Sequence, residues 1–233
     1  MSGTVYGIGV GPGDPELLTL KALRLLRAAP VIAYPAPDIG DSFARAIAAP
    51  HLPGGQIEIA IRMPLGDGQF PKQDIYDRAA ADIADHAAAG RDVVVLCEGD
   101  PFFYGSFMYL HERLAGRCAV KIVPGVSSLM ACADATNLPL VARNESLTVI
   151  PAPIGDDQLR ARLTGCDAAA IVKVGRHLAR VRSVLDDLKL TANAWYVERA
   201  TLANQRVLPL AEVHDGSAPY FSMILVRQRN GPR

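Results

Sequence analysis

Three short turns in this 233-residue chain carry the residues best placed to do chemistry: Gly11-Pro12-Gly13-Asp14-Pro15, Glu98-Gly99-Asp100-Pro101 and Pro124-Gly125-Val126-Ser127-Ser128. Glycine lets main chains approach closely, and proline fixes φ. Turns of this kind hold backbone N–H and C=O groups in set directions at low folding-entropy cost. They can surround a small polar ligand without mobile side chains. Asp14 and Glu98 are the carboxylates able to take a proton. Asp14 is equally suited to capping the helix that follows, and Glu98 to binding or structure. Asp100 has the same two readings, ligand contact or turn cap.

Other chemistries fit less well. Gly7-Ile8-Gly9-Val10-Gly11-Pro12-Gly13 invites a dinucleotide reading, but the G-x-G-x-x-G fingerprint needs glycine where Pro12 stands. The next strand ends in Tyr34-Pro35-Ala36-Pro37, with no acid suited to a ribose, and no phosphate-binding G-x-x-x-x-G-K-[ST] occurs. Cys97, Cys118, Cys132 and Cys166 form no C-x-x-C pair, and His51, His86, His111, His177 and His214 make no metal-ligand spacing with them. Buried reduced thiols are expected, with no metal.

Short β-branched runs alternating with helical patterns must position these turns, which predicts parallel sheets with crossover helices. A strand over 4–10 leads through the first turn into a helix with Leu17, Leu20, Leu23 and Leu26 on its apolar stripe, Asp14 as N-cap and Pro15 as its first residue. A strand over 31–34, a short helix over 42–49, a weakly alternating strand over 56–62 and an alanine-rich helix over 74–89 follow. The run 92–97 is a buried strand that stops at the second turn; a helix over 108–114 and a strand over 119–123 lead to the third. The rhythm then changes. Helices over 128–136, 158–163 and 178–188 accompany strands over 147–150, 169–174, 194–197 and 221–227, the last without a following helix and so a candidate for antiparallel pairing. Two domains are expected, 1–124 and 125–233.

Half of the residues are apolar, 6% are aromatic and the formal net charge is zero. That balance argues against a primary role on nucleic acid or an anionic membrane. No apolar run approaches the ~20 residues of a membrane span. Met1-Ser2-Gly3-Thr4-Val5 runs straight into a strand, so no signal peptide is expected and the cytoplasm is the expected compartment. Of 24 basic residues only Lys21, Lys72, Lys121, Lys173 and Lys189 are lysine. The arginine excess follows from a GC-rich genome, and it also suits a polycarboxylate substrate.

Taken in order and spacing, the three turns resemble the tetrapyrrole methyltransferase family, the S-adenosylmethionine-dependent enzymes of cobalamin and sirohaem synthesis. The likeness covers nearly the whole chain. Val10 through Ala22, Glu98-Gly99-Asp100-Pro101-Phe102-Phe103-Tyr104-Gly105 and Pro124 through Ser128 look like its three signatures. Glu98 ahead of the G-D-P, Lys173-Val174-Gly175-Arg176, Val197 through Leu202 and Tyr220 through Arg227 resemble its precorrin-2 C20-methyltransferase branch. The uroporphyrinogen III branch more typically carries E-N-G-T and Y-M-G in the second and first of those C-terminal segments.

The resemblance implies two αβα domains with mainly parallel sheets, S-adenosylmethionine in the cleft between them, and a homodimer. By position it implies cofactor contacts at Pro12, Glu98, Gly99, Asp100, Phe103, Ser127, Ser128, Val174 and Ala200, many through main chain. It implies a tetrapyrrole small-molecule substrate, methylated at C20 of precorrin-2 to give precorrin-3A, with S-adenosylhomocysteine as the spent donor. The cobalt-containing substrate (cobalt-factor II) and other ring methylations, such as C2/C7 of uroporphyrinogen III, are the alternatives within the family. Diphthine synthesis is disfavoured by the branch-like segments. Arg62, Arg143, Arg176 and Arg199 lie in or near loops able to meet substrate carboxylates. Residues 65–70, beside Arg62, read as a mobile flap. Outside the family, a nicotinamide dehydrogenase would answer to NAD and not to S-adenosylhomocysteine, and a silent carrier would bind tetrapyrrole without S-adenosylmethionine.

Overall fold

Val93-Val94-Val95-Leu96-Cys97 is an unbroken apolar run, and in the computed structural model it is a strand buried along its whole length. The structure describes residues 2–64, 73–214 and 216–228. The flap expected over 65–70 lies outside them. The chain divides into two units, Met1–Ser127 and Ser128–Arg233.

The first unit runs β1 (Thr4–Gly9), α1 (Leu20–Ala28), β2 (Val31–Pro37), α2 (Phe43–Ala48), β3 (Ile57–Met63), α3 (Gln73–Ala88), β4 (Val93–Cys97), α4 (Phe107–Leu114) and β5 (Ala119–Val123). Its strands lie in the order β3-β2-β4-β1-β5, with every pair parallel. Both faces are covered, as a parallel sheet requires. Val5, Val31, Val93 and Val95 pack with Tyr76, Ile83, Phe107 and Leu110 of α3 and α4. Ile8, Ile32 and Leu96 pack with Leu25 and Leu26 of α1 and Ala44 and Ile47 of α2.

Two local expectations are corrected. The segment after β1 is not one helix. Asp14 and Pro15 open a 3-10 turn, Pro15–Leu17, and α1 begins afresh at Leu20 under a Thr19 cap that accepts from the Ala22 N–H at 3.2 Å. That second cap turns Leu20 outward, 86% exposed, so it leaves the apolar stripe. β2 also runs past Tyr34 through Pro35 to Pro37. It pairs with β4 only over Val31–Ala33, so the prolines fall where that side has no ladder to break.

The second unit runs α5 (Ser128–Thr136), β6 (Leu147–Pro151), α6 (Asp156–Leu163), β7 (Ala168–Val172), α7 (Leu178–Asp187), β8 (Ala194–Glu198), β9 (Arg206–Pro209) and β10 (Ser222–Arg227). The order is β6-β7-β10-β8-β9. The last strand is antiparallel as its lack of a following helix suggested, and the mainly parallel pairing expected of this sheet is corrected: only β6 and β7 pair in parallel, while β10 runs antiparallel to β7 and β8, and β9 antiparallel to β8. β10 has both faces buried because it sits in mid-sheet. Ile224 and Val226 face α6 and α7, whereas Met223 and Leu225 face α5. β9 gave no sequence signal, being four residues that end in proline at a sheet edge.

Candidate functional site

The turns after β1, β4 and β5 lie at the carboxyl ends of three neighbouring strands in the first unit, where open parallel sheets collect ligands. They meet through main chain. Gly11 and Gly99 form an antiparallel bridge, with the Gly99 N–H donating to Gly11 at 2.8 Å and the Gly11 N–H to Gly99 at 3.3 Å. A Cβ on Gly9 would lie 2.4 Å from the Gly99 oxygen and 2.5 Å from the Gly125 Cα, and one on Gly125 would lie 2.1 Å from that same oxygen. Only glycine permits this approach. The signal in the sequence was the Gly7-x-Gly9 pair inside a strand, where Gly7 also makes room for the Phe107 ring.

Asp100 locks the junction. Its Oδ2 accepts from the Gly125 N–H at 3.0 Å and its Oδ1 from the Phe102 N–H at 2.9 Å, joining the second turn to the third. Asp14 Oδ1 accepts from the Glu16 N–H at 2.8 Å, which accounts for that residue as a cap. Pro12 is half-buried and Ser127 half-buried; Ser128 is exposed at the start of α5. Phe103 is exposed, its ring set edge-on to Tyr104 with centroids 5.2 Å apart.

Glu98 is the unusual acid. Burial at the tip of β4 raises its pKa, and N–H groups of Glu98 itself and of Ala44 only partly offset this. Burial likewise pushes the Cys97 thiol up to about 11 and the Cys132 thiol up to about 12, which keeps both protonated.

In the second unit, Val174 and Ala200 follow β7 and β8 with their side chains buried, 0% and 7% exposed, so what they can offer a ligand is main chain. Each of the expected arginines has its own setting. Arg62 donates to the carbonyls of Pro37 and Asp38 at 3.0 and 3.2 Å, tying down the end of β2. Arg199 donates to Glu198 Oε1 at 3.1 Å, and Glu198 Oε2 also accepts from the Tyr196 hydroxyl at 2.6 Å. Arg143 and Arg176 are exposed. Among the described residues no group of His, Cys, Asp and Glu could hold a metal ion, and no helix is long and apolar enough to cross a membrane.

The chain is similar to known proteins over nearly its whole length. The family model for tetrapyrrole (corrin/porphyrin) methylases matches residues 4–214. The chain is 45% identical to the cobalamin biosynthesis protein CobIJ of Mycobacterium bovis, over 96% of its own length but 46% of that relative, so it spans about half of it. It is 42% identical to a precorrin-2 C(20)-methyltransferase of a Sinorhizobium species, over 96% of this chain and 95% of that one. The uroporphyrin-III C-methyl transferase of Thermus thermophilus, solved with S-adenosyl homocysteine, superposes with a TM-score of 0.72 at 26% identity, covering 97% of this chain and 98% of that one. By the extent of these matches, this chain belongs to the tetrapyrrole (corrin/porphyrin) methylases.

Proposed function

We propose that the chain is an S-adenosylmethionine-dependent C-methyltransferase acting at C20 of precorrin-2 to give precorrin-3A. The junction of Gly9, Gly99 and Gly125 carries the reading: the turns that define the family are the ones that pack into a single main-chain cradle. The name of the Sinorhizobium relative supports the substrate, and it supports the metal-free macrocycle over the cobalt complex. The S-adenosyl homocysteine held by the Thermus protein supports the donor.

The residues fit that donor. The N–H groups of Gly11, Gly99 and Gly125 are spent within the junction, which holds the main chain of the flanking turn residues in place to meet ribose hydroxyls and an amino-acid moiety. Pro12, Glu98, Gly99, Phe103, Ser127 and Ser128 are the assigned contacts, with main chain at Val174 and Ala200. Asp100 serves by positioning, because it fixes the second turn against the third. S-adenosylmethionine supplies an electrophilic methyl on sulfur. The protein's part is to align the acceptor carbon with it and exclude water, and alignment alone is worth several kcal/mol, on the order of 7–11 in favourable model systems. A homodimer and a cytoplasmic setting complete the proposal, with sedimentation testing the first.

The test is incubation with methyl-labelled S-adenosylmethionine and enzymically made precorrin-2, followed by NMR assignment of the new methyl. A label at C20 is expected. In parallel incubations, labelling of uroporphyrinogen III at C2 or C7, or turnover of the cobalt complex with none of precorrin-2, would replace this reading with that alternative.

A further inference from the structure

The second unit gathers strained backbone, cationic side chains and aromatic rings at one end of its sheet. Lys173 follows β7, and Arg199 and Thr201 follow β8; all three hold left-handed backbone, with φ of 59°, 51° and 70°. For a β-branched residue such as Thr201 this is an outlier, and strain of this kind persists where surrounding structure imposes it, commonly at ligand sites. The start of β10 lies between the two turns. Ser222 pairs with Glu198 and Ile224 with Ile171, two residues before Lys173, where the chain has left β7. The Arg199 N–H donates to the Phe221 carbonyl at 2.8 Å, and the Ala218 N–H to the Gly175 carbonyl at 3.0 Å. The segment before β10 is thereby pinned to both turns.

The side chains on this end share a chemistry. Tyr220 is 79% and Phe221 39% exposed, their rings edge-to-face at 5.0 Å. Lys173 and Arg176 are exposed. The acid of the group, Glu198, is buried and already holds Tyr196 and Arg199. Val174 and Ala200 turn their side chains into the core, so the outward chemistry belongs to their neighbours. Aromatic rings and cations on turns joined at one end of a sheet suit a conjugated ligand edged with carboxylates.

We propose that Tyr220 and Phe221 form the face on which the tetrapyrrole macrocycle rests, and that Lys173 and Arg176 take its peripheral carboxylates. The proposal rests on the tetrapyrrole reading above and assigns the substrate side of it to this end of the sheet. Left-handed backbone at Lys173 aims the cation by fixing where its side chain leaves the main chain.

Lys173→Asn removes the charge with a residue that tolerates positive φ, and Tyr220→Leu removes the ring at an exposed position, so both variants should fold. Two titrations are read on each: S-adenosylhomocysteine by calorimetry, and uroporphyrin III, a stable flat tetrapyrrole carboxylated on every ring, by the shift of its main absorption band. Each variant is expected to bind uroporphyrin III about tenfold more weakly, with S-adenosylhomocysteine affinity within about twofold of wild type. Raised salt should narrow the Lys173→Asn difference more than the Tyr220→Leu difference. Unchanged uroporphyrin III affinity in both variants, an equal loss of S-adenosylhomocysteine affinity, or no binding of uroporphyrin III by the wild type would overturn it. Failure of the methylation of precorrin-2 would instead strike the functional reading, since these titrations involve no turnover.

Discussion

Gly125 has its Cβ position 2.1 Å from the Gly99 oxygen and 2.6 Å from the Gly9 Cα, both main chain, so no flexible side chain can yield. Gly125→Ala must therefore move two turns. It is expected to cost about 2–4 kcal/mol in urea unfolding, the range of overpacked and strained sites, and to abolish binding of S-adenosylhomocysteine. A variant that keeps both stability and binding would show that the junction is looser than its geometry. Glu98 makes a second residue-scale prediction. Its folded pKa lies above the ordinary 4.5, so the folded chain holds that proton more tightly than the unfolded chain. The stability this contributes is complete below about 4.5 and is lost as pH rises through the folded value. Glu98→Gln, neutral throughout, should match wild type near pH 4 and gain on it toward neutrality. Melting temperatures across that range read the difference, and a constant offset would count against burial as the cause.

At the scale of elements, β3 is the edge strand of the first sheet and is weakly apolar, with Ile57 and Glu58 exposed. Pairing along the whole of β2 holds it, and so does one ionic knot. Arg45 of α2 donates to both Glu58 oxygens at 2.6 and 2.7 Å, and the Tyr34 hydroxyl donates to Glu58 at 2.7 Å. The Arg45 guanidinium holds the Glu58 carboxyl down at about 2. A depressed acid contributes stability above its unfolded value of about 4.5 and loses it as pH falls through about 2. The groups are more than a third and about a third exposed, so solvent screening discounts the contribution, and Glu58→Gln should cost about 1 kcal/mol at neutral pH. Chemical denaturation is expected to show that cost shrinking through the acid window. A cost independent of pH would assign it to packing.

The described residues form four apolar clusters, one on each face of each sheet, and β10 is the middle strand of the second sheet. A ligand that binds only the folded chain stabilises it by mass action. S-adenosylhomocysteine at about a hundred times its dissociation constant should add roughly 2.7 kcal/mol, seen as a rise in melting temperature, with NAD giving none. A shift with NAD and none with S-adenosylhomocysteine would return the chain to the dehydrogenase reading.

The sequence by itself determined most elements and the three turns, because both are written locally. Apolar runs such as 93–97 set the strands, and proline with glycine sets the corners. It could not decide that Gly9, Gly99 and Gly125 touch, since that depends on β1 lying between β4 and β5, an order created by pairing residues far apart in the chain. Nor could it decide that β10 inserts between β7 and β8, that Thr19 rather than Asp14 caps α1, or that Arg62 is occupied with the end of β2. Cap choice, strand order and the partners of a long side chain turn on small free-energy differences among neighbours that only the folded chain brings together.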